Sequence, residues 1–286
     1  MSKKLISLVL VLAIAGIASA ADMYWNSDVA EGAWNVASNW KLGNTATSPV
    51  STNVPLTSDQ AWVRPSLNGS ISAGPVTINV TSTDAVTCRL NMNSGQMTLN
   101  IQTDAVLTNS GTLLATGWQF YNTSGGVVNV DGTLINERGD ATQITVKIGG
   151  AGGGGSQTIN INDGGVMTVK QTALNNGIFA IGTTQTGAGS AYVNINSGGL
   201  LDVDSYTFGA LVTKKMTIDH TGLMKVLDTT GAVRTQINND ITAGNIAPAA
   251  GSFLAVWTTG GYTYVPEPAT VALLGLGSLM LLRRKR

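Results

Sequence analysis

Residues 159–169 read Ile159-Asn160-Ile161-Asn162-Asp163-Gly164-Gly165-Val166-Met167-Thr168-Val169. Two short apolar-polar-apolar runs flank a turn of Asn, Asp and Gly. Period-two alternation places Ile159 and Ile161 on one face of a strand and Asn160 on the other. The turn residues tolerate the conformations a sharp change of direction needs.

The same arrangement recurs along the chain. Ile78-Asn79-Val80, Leu99-Asn100-Ile101, Val128-Asn129-Val130, Val193-Asn194-Ile195 and Met216-Thr217-Ile218 repeat the first run. The following turns end at Ala85, Ala105, Gly132, Gly165, Gly199 and Gly222. The second run is clearest in Val166-Met167-Thr168-Val169, Leu200-Leu201-Asp202-Val203 and Leu223-Met224-Lys225-Val226. Central positions lie 21, 29, 31, 34 and 23 residues apart. Imperfect periods of this size suit a solenoid whose coils differ in loop length.

We therefore expect an all-β chain, a right-handed parallel β-helix of short irregular coils. Val, Ile, Leu and Met flanking each central residue would point inward and stack on neighbouring coils. Phe179-Ala180-Ile181-Gly182 and Ile144-Thr145-Val146-Lys147-Ile148-Gly149 offer strands for a third sheet. Glycine at the end of each turn would allow a positive φ. No long amphipathic helix is expected. Asn79, Asn100, Asn129, Asn160, Asn194 and Thr217 would form an outward polar ladder with a step of about 4.8 Å. Stacked amides stabilise such a ladder. The alternative is a flat glycan-facing surface that includes Asn129, Asn160 and Asn194.

The start of the body differs. Trp25-Asn26, Gly32-Ala33-Trp34-Asn35 and Ser38-Asn39-Trp40 form a compact Trp/Asn motif. It resembles the opening segment of bacterial surface proteins with autotransporter-like β-helical repeats. That resemblance implies a cap on the first coil, which would otherwise expose apolar side chains and unpaired strand edges. Aromatics beside Asn also suit sugar stacking, so Trp34 and Trp40 are candidate glycan contacts. Phe253, Trp257, Tyr262 and Tyr264 are expected to close the last coil.

Charge and chemistry narrow the function. Residues 21–265 carry ten basic and fifteen acidic residues, a net charge of −5. No basic run survives there, which argues against a nucleic-acid partner. Cys88 is the single cysteine and His220 the single histidine. One of each makes a His- or Cys-based zinc site implausible, and no Gly-x-Ser-x-Gly is present. Asp202 and Asp204 with Lys214 and Lys215 form the best enzymatic grouping, of a lyase type, but a solvated face explains them more simply. The Gly149–Gly155 stretch matches Gly-x-Gly-x-x-Gly only because six of its seven residues are glycine. It reads as a loop. We expect no enzyme, cofactor or metal.

The two ends carry addresses. Lys3 and Lys4 precede an apolar stretch, and Ala18-Ser19-Ala20 fits a small-x-small cleavage site. Residues 1–20 thus read as a signal peptide. At the other end stand Pro266-Glu267-Pro268, an apolar run from Ala269 to Leu282, and Arg283-Arg284-Lys285-Arg286. The prolines keep the triplet extended. The run would span about 21 Å as a helix, short of a hydrocarbon core of about 30 Å, with terminal cations able to snorkel. This tripartite tail resembles the PEP-CTERM sorting signal. The resemblance implies an exosortase-type processing protease, a short transmembrane helix, transient anchoring in the inner membrane, and delivery to the cell surface or beyond. It also implies an association with exopolysaccharide or biofilm. The expected organisation is a signal peptide at 1–20, a cap at 21–65, a repeat domain at 66–264 and a sorting signal at 265–286. A structural or interaction role ranks first, a glycan-binding adhesin second and a polysaccharide lyase last.

Overall fold

A computed structural model of the chain describes residues 21–26, 28–43, 45, 47–63, 75–92, 96–110, 118–120, 125–138, 145–149, 155–182, 189–210, 213–249 and 254–266. Residues 1–20, read above as a signal peptide, Glu267 and Pro268, the apolar run and the basic terminus Arg283–Arg286 lie outside the described residues. So do Ile144, Gly150–Gly154 and Phe253. Among the described residues no helix is long and apolar enough to cross a membrane.

Short apolar-polar-apolar runs form strands too narrow to bury anything alone, so they stack. The described chain is dominated by strands in three eight-stranded sheets, here A, B and C. From Val76–Val80 to Leu223–Leu227 the chain visits B, C and A in unbroken rotation. Each strand from Val76–Val80 to Leu200–Val203 pairs in parallel with the strand three places on in its own sheet. The six predicted first runs all fall in sheet B, in the register read from the sequence: Asn79, Asn100, Asn129, Asn160, Asn194 and Thr217 occupy one row. The second runs fall in sheet C, with Val166 beside Leu200 and Leu200 beside Leu223. Thr145–Ile148 and Ile178–Ile181 pair in sheet A.

Inward residues stack in continuous columns. Ile78, Leu99, Val128, Ile159, Val193 and Met216 form one in sheet B, all essentially inaccessible to solvent. Phe179 and Ile181 supply bulk from sheet A. Burying side chains of this size removes them from water at about 1.5–3 kcal/mol each. The cumulative effect makes the register cooperative, since a one-residue slip would turn every column outward.

The turn glycines work differently from expectation. Gly132, Gly165, Gly199 and Gly222 are not in the left-handed region; among the equivalent turns, positive φ occurs one residue earlier, at Asp104 (65°), Gly164 (74°) and Gly198 (77°). The turn-ending glycines instead meet the coil below. A Cβ at Gly165 would lie 1.9 Å from the Val130 carbonyl oxygen, and one at Gly199 2.4 Å from that of Ile161. Close backbone approach, not backbone twist, requires glycine there.

One helix, Ala232–Thr242, departs from the all-strand expectation. After Leu223–Leu227 in sheet C, the rotation calls for a strand in sheet A. The helix takes that turn, and Ile246–Pro248 then resumes sheet B. Val233, Ile237 and Ile241 recur at intervals of four, so they share one face. Ile237 is fully buried, and Val233 and Ile241 pack beside it. The Tyr206 hydroxyl, on the last strand of sheet A, donates to Asp240 Oδ2 at 2.7 Å, and Gln236 Nε2 donates to the Tyr206 carbonyl at 3.1 Å. Burial, reinforced by Asp240, pushes the Tyr206 phenol far above its ordinary value, so it stays a donor. The helix covers the end of the stack at sheet A, while the late aromatics Trp257, Tyr262 and Tyr264 lie on a hairpin that closes the end of sheet C.

Candidate functional site

Sheet B carries the polar row. Each Asn donates from Nδ2 to the Oδ1 of the Asn one strand earlier: Asn100 to Asn79, Asn129 to Asn100, Asn160 to Asn129 and Asn194 to Asn160, all at 2.9 Å. The first rung, Asn79, donates to Glu31 Oε1 at 3.3 Å. A shorter ladder runs in the turns, from Asn196 to Asn162 at 2.7 Å and from Asn162 to Asp131 Oδ1 at 2.8 Å. Both ladders point the same way and end on a carboxylate, which accepts without needing to donate. Aligned amides polarise one another, so the row strengthens with length. Each inner rung still has one N–H and one lone pair to turn outward. Asn129, Asn160 and Asn194 are half-buried.

A single break should be measurable. Asn160→Leu removes two bonds, each worth about 1 kcal/mol net. We expect a loss of about 1–2 kcal/mol in urea unfolding. An unchanged midpoint would show that water replaces the rung at no cost.

The Trp cluster lies at the opposite face of the question. Trp34 and Trp40 are 1% and 0% exposed, so neither offers a ring to a sugar. This corrects the expectation that they contact glycan. Trp40 packs edge-on against Trp34 and Trp25, with centroids 4.8 and 5.3 Å apart. Its indole N–H donates to the Trp34 carbonyl, and that of Trp25 to the Val29 carbonyl. The Asn residues brace the same segment: Asn39 Nδ2 donates to the Ala33 carbonyl and Asn26 Nδ2 to the Ser38 carbonyl. Trp40–Lys41 pairs antiparallel with Asp22–Trp25 at the end of sheet A. A cleft of about 420 Å³ opens beside Trp34, between Val54–Leu56 and Ser82–Val86.

The expected acidic grouping is not assembled. Lys214 and Lys215 lie in sheet B, beside Ala191 and Tyr192. Asp204 Oδ2 accepts the backbone N–H of Gln171 at 2.7 Å and of Gly177 at 3.0 Å. Asp202 Oδ2 accepts Lys170 Nζ at 2.7 Å and Lys225 Nζ at 3.0 Å. Burial pulls the Lys225 ammonium down, but Asp202 outweighs it and the net shift is upward. The sequence held this signal: aligning the second runs sets Thr168, Asp202 and Lys225 at one position. His220 is exposed in a turn at φ 29°. Among the described residues no three His, Cys, Asp or Glu side chains gather as a metal site. Cys88 is buried, and burial, with Asp59, pushes its thiol up to about 11.

Lys225 begins an aromatic strip that the sequence reading missed as a unit. Its row in sheet C continues through Tyr264 to Trp257. The Trp257 and Tyr264 rings stack with centroids 5.6 Å apart and planes 18° from parallel. Lys225 Nζ lies 4.2 Å from the Tyr262 ring centroid. All three aromatics are half-buried on the outward side of a hairpin, Trp257–Thr259 and Tyr262–Pro266.

That terminal strand carries the first residue of the sorting triplet. Tyr262–Pro266 runs antiparallel to Leu223–Leu227, with Val265 beside Met224 and Pro266 beside Leu223. Val265 is fully buried. Thr263 donates to Asp228 Oδ2 at 2.7 Å, and Asp228 also accepts the Gly231 and Arg234 N–H groups at the start of the helix. Burial opposes ionisation of Asp228, but these hydrogen bonds prevail and hold its carboxyl below the usual range.

The PEP-CTERM protein-sorting motif matches residues 265–286. No curated protein and no solved structure matches the chain. A motif of this type implies export, transient anchoring through the tail and processing by an exosortase at the membrane.

Proposed function

We propose that the chain is a non-catalytic structural component of the extracellular polymer layer. Its body is a right-handed parallel β-helix of three sheets, with residues 21–65 as the N-terminal cap. It is exported behind a cleaved leader, held in the inner membrane by a short apolar helix, and freed at the surface when an exosortase cuts near Pro266-Glu267-Pro268. The observation that carries this reading is the sorting motif joined directly to a stacked-strand body. The amide ladders support it, because they bond mainly to one another and so serve rigidity. The test is the mass of the C-terminal peptide on protein recovered from the surface and culture fractions of the native host. A peptide ending near Pro268 is expected. An intact Arg286 terminus confined to the membrane fraction would overturn the processing and matrix role together.

The strip of Trp257, Tyr262 and Tyr264 with Lys225 favours a second reading, an adhesin for exopolysaccharide. Aromatic faces beside charged groups suit sugar rings and their substituents. In the same fractions, replacing Trp257 and Tyr264 by Ala would then release the protein from the polysaccharide while leaving its processing intact.

A further inference from the structure

The folded body and the sorting segment share residues. The motif begins at Val265, whereas the terminal strand extends through Pro266. No residue separates the last strand of the sheet from the triplet.

Both edges of this strand are in use. On one side all five residues are in register with Leu223–Leu227. On the other, Tyr262, Thr263 and Tyr264 pair with Thr259, Thr258 and Trp257. Beyond that hairpin the Ala255 N–H donates to the Pro266 carbonyl at 3.1 Å. Pro266 itself is buried. Its missing N–H suits it to a strand end, where no ladder bond is demanded. Val265 fills the core opposite Met224, and Thr263 ties the strand through Asp228 to the start of the cap helix.

A protease cleft takes an extended segment by its free backbone edges and its side chains. Pro266 offers neither while the strand is docked. We propose that the fold withholds Pro266, the first residue of the sorting triplet, from the protease: the strand Tyr262–Pro266 leaves sheet C before Pro266 is read, and this opening sets the rate of processing. The inference rests on the tail being a processed sorting signal. Strand ends open locally without global unfolding, so the control is graded rather than absolute. A chain still unfolded after export is cut at once. A chain that has folded is cut only as fast as the strand opens.

The test follows the C-terminal peptide mass over time after pulse labelling, using the full chain in its native host. One variant carries Gly-Ser-Gly-Ser-Gly-Val inserted between Val265 and Pro266. It keeps the strand docked through Val265, and the triplet still follows a valine. A second, Thr263→Val, lies outside the motif and removes the tie to Asp228. Thermal melting of each purified body checks that the fold is kept. The insertion should be processed about tenfold faster than the parent, and Thr263→Val by a smaller factor, about threefold. Equal rates for the parent and a folded insertion variant would overturn the proposal. Parent chain folded before the protease is induced, yet cut as fast as nascent chain, would overturn it independently of any variant. Failure of every chain to be cut would instead remove the sorting reading on which the proposal stands.

Discussion

Gly165→Ala should lower the stability of the body by about 3 kcal/mol or more, the upper range for overpacking. The added methyl would fall 1.9 Å from the Val130 carbonyl oxygen and 3.0 Å from that of Asn162. Both obstacles are backbone, so no side-chain rotation relieves them. The turn would have to lift from the coil beneath it. That would strain the bonds from the Val166 N–H to the Gly132 carbonyl and from the Leu200 N–H to the Gly165 carbonyl, each 2.8–2.9 Å long. Gly164 provides the contrast. Its φ is 74°, but a Cβ there meets nothing within 4 Å. Gly164→Ala should cost only the left-handed penalty, about 1–2 kcal/mol. Urea midpoints by circular dichroism check both. The reverse order would mean that twist, not approach, governs these turns.

Ile237→Asp should cost about 4 kcal/mol, combining a lost core side chain with a buried, unpaired charge. Its second effect concerns the end of the stack. Solenoids need closed ends, because the last coil otherwise presents apolar columns and strand edges to any neighbour. With the helix displaced, the exposed end of sheet A, Ser205–Phe208, becomes a template for association. Differential scanning calorimetry should show the lower melting temperature, and size-exclusion chromatography a shift to larger species. Wild-type behaviour in both would remove the helix from its capping role.

The helix was hard to read because its residues are weak helix formers. Thr235, Asn238, Asn239 and Thr242 all compete with the backbone or lose side-chain freedom in a helix. Only the spacing of Val233, Ile237 and Ile241 betrayed it. Asn109 and Asn136 were equally hidden. They are fully buried in sheet C, where Asn109 Nδ2 donates to Asn136 Oδ1 at 3.1 Å. In Val106–Asn109 the alternation already puts Leu107 and Asn109 on one face, but an amide in that place reads as solvent-facing. Partners found across coils decide otherwise, since a buried amide is tolerated once bonded.

Alternation and repetition alone were enough to read the paired runs of sheets B and C and the common row of Asn79 to Thr217, and to offer two strands for a third sheet. Those properties are local, set by side-chain period and by turn residues within each coil. The tail's address was legible for the same reason, as a short contiguous pattern. Long-range contacts decided the remainder: which cations meet Asp202, why Gly165 has no side chain, how Trp34 and Trp40 are buried, and how far the last strand reaches into the sorting segment. Each depends on residues brought together from different coils, at separations that imperfect spacing does not specify. Hydrophobic columns, backbone ladders and the amide row together set how the coils stack.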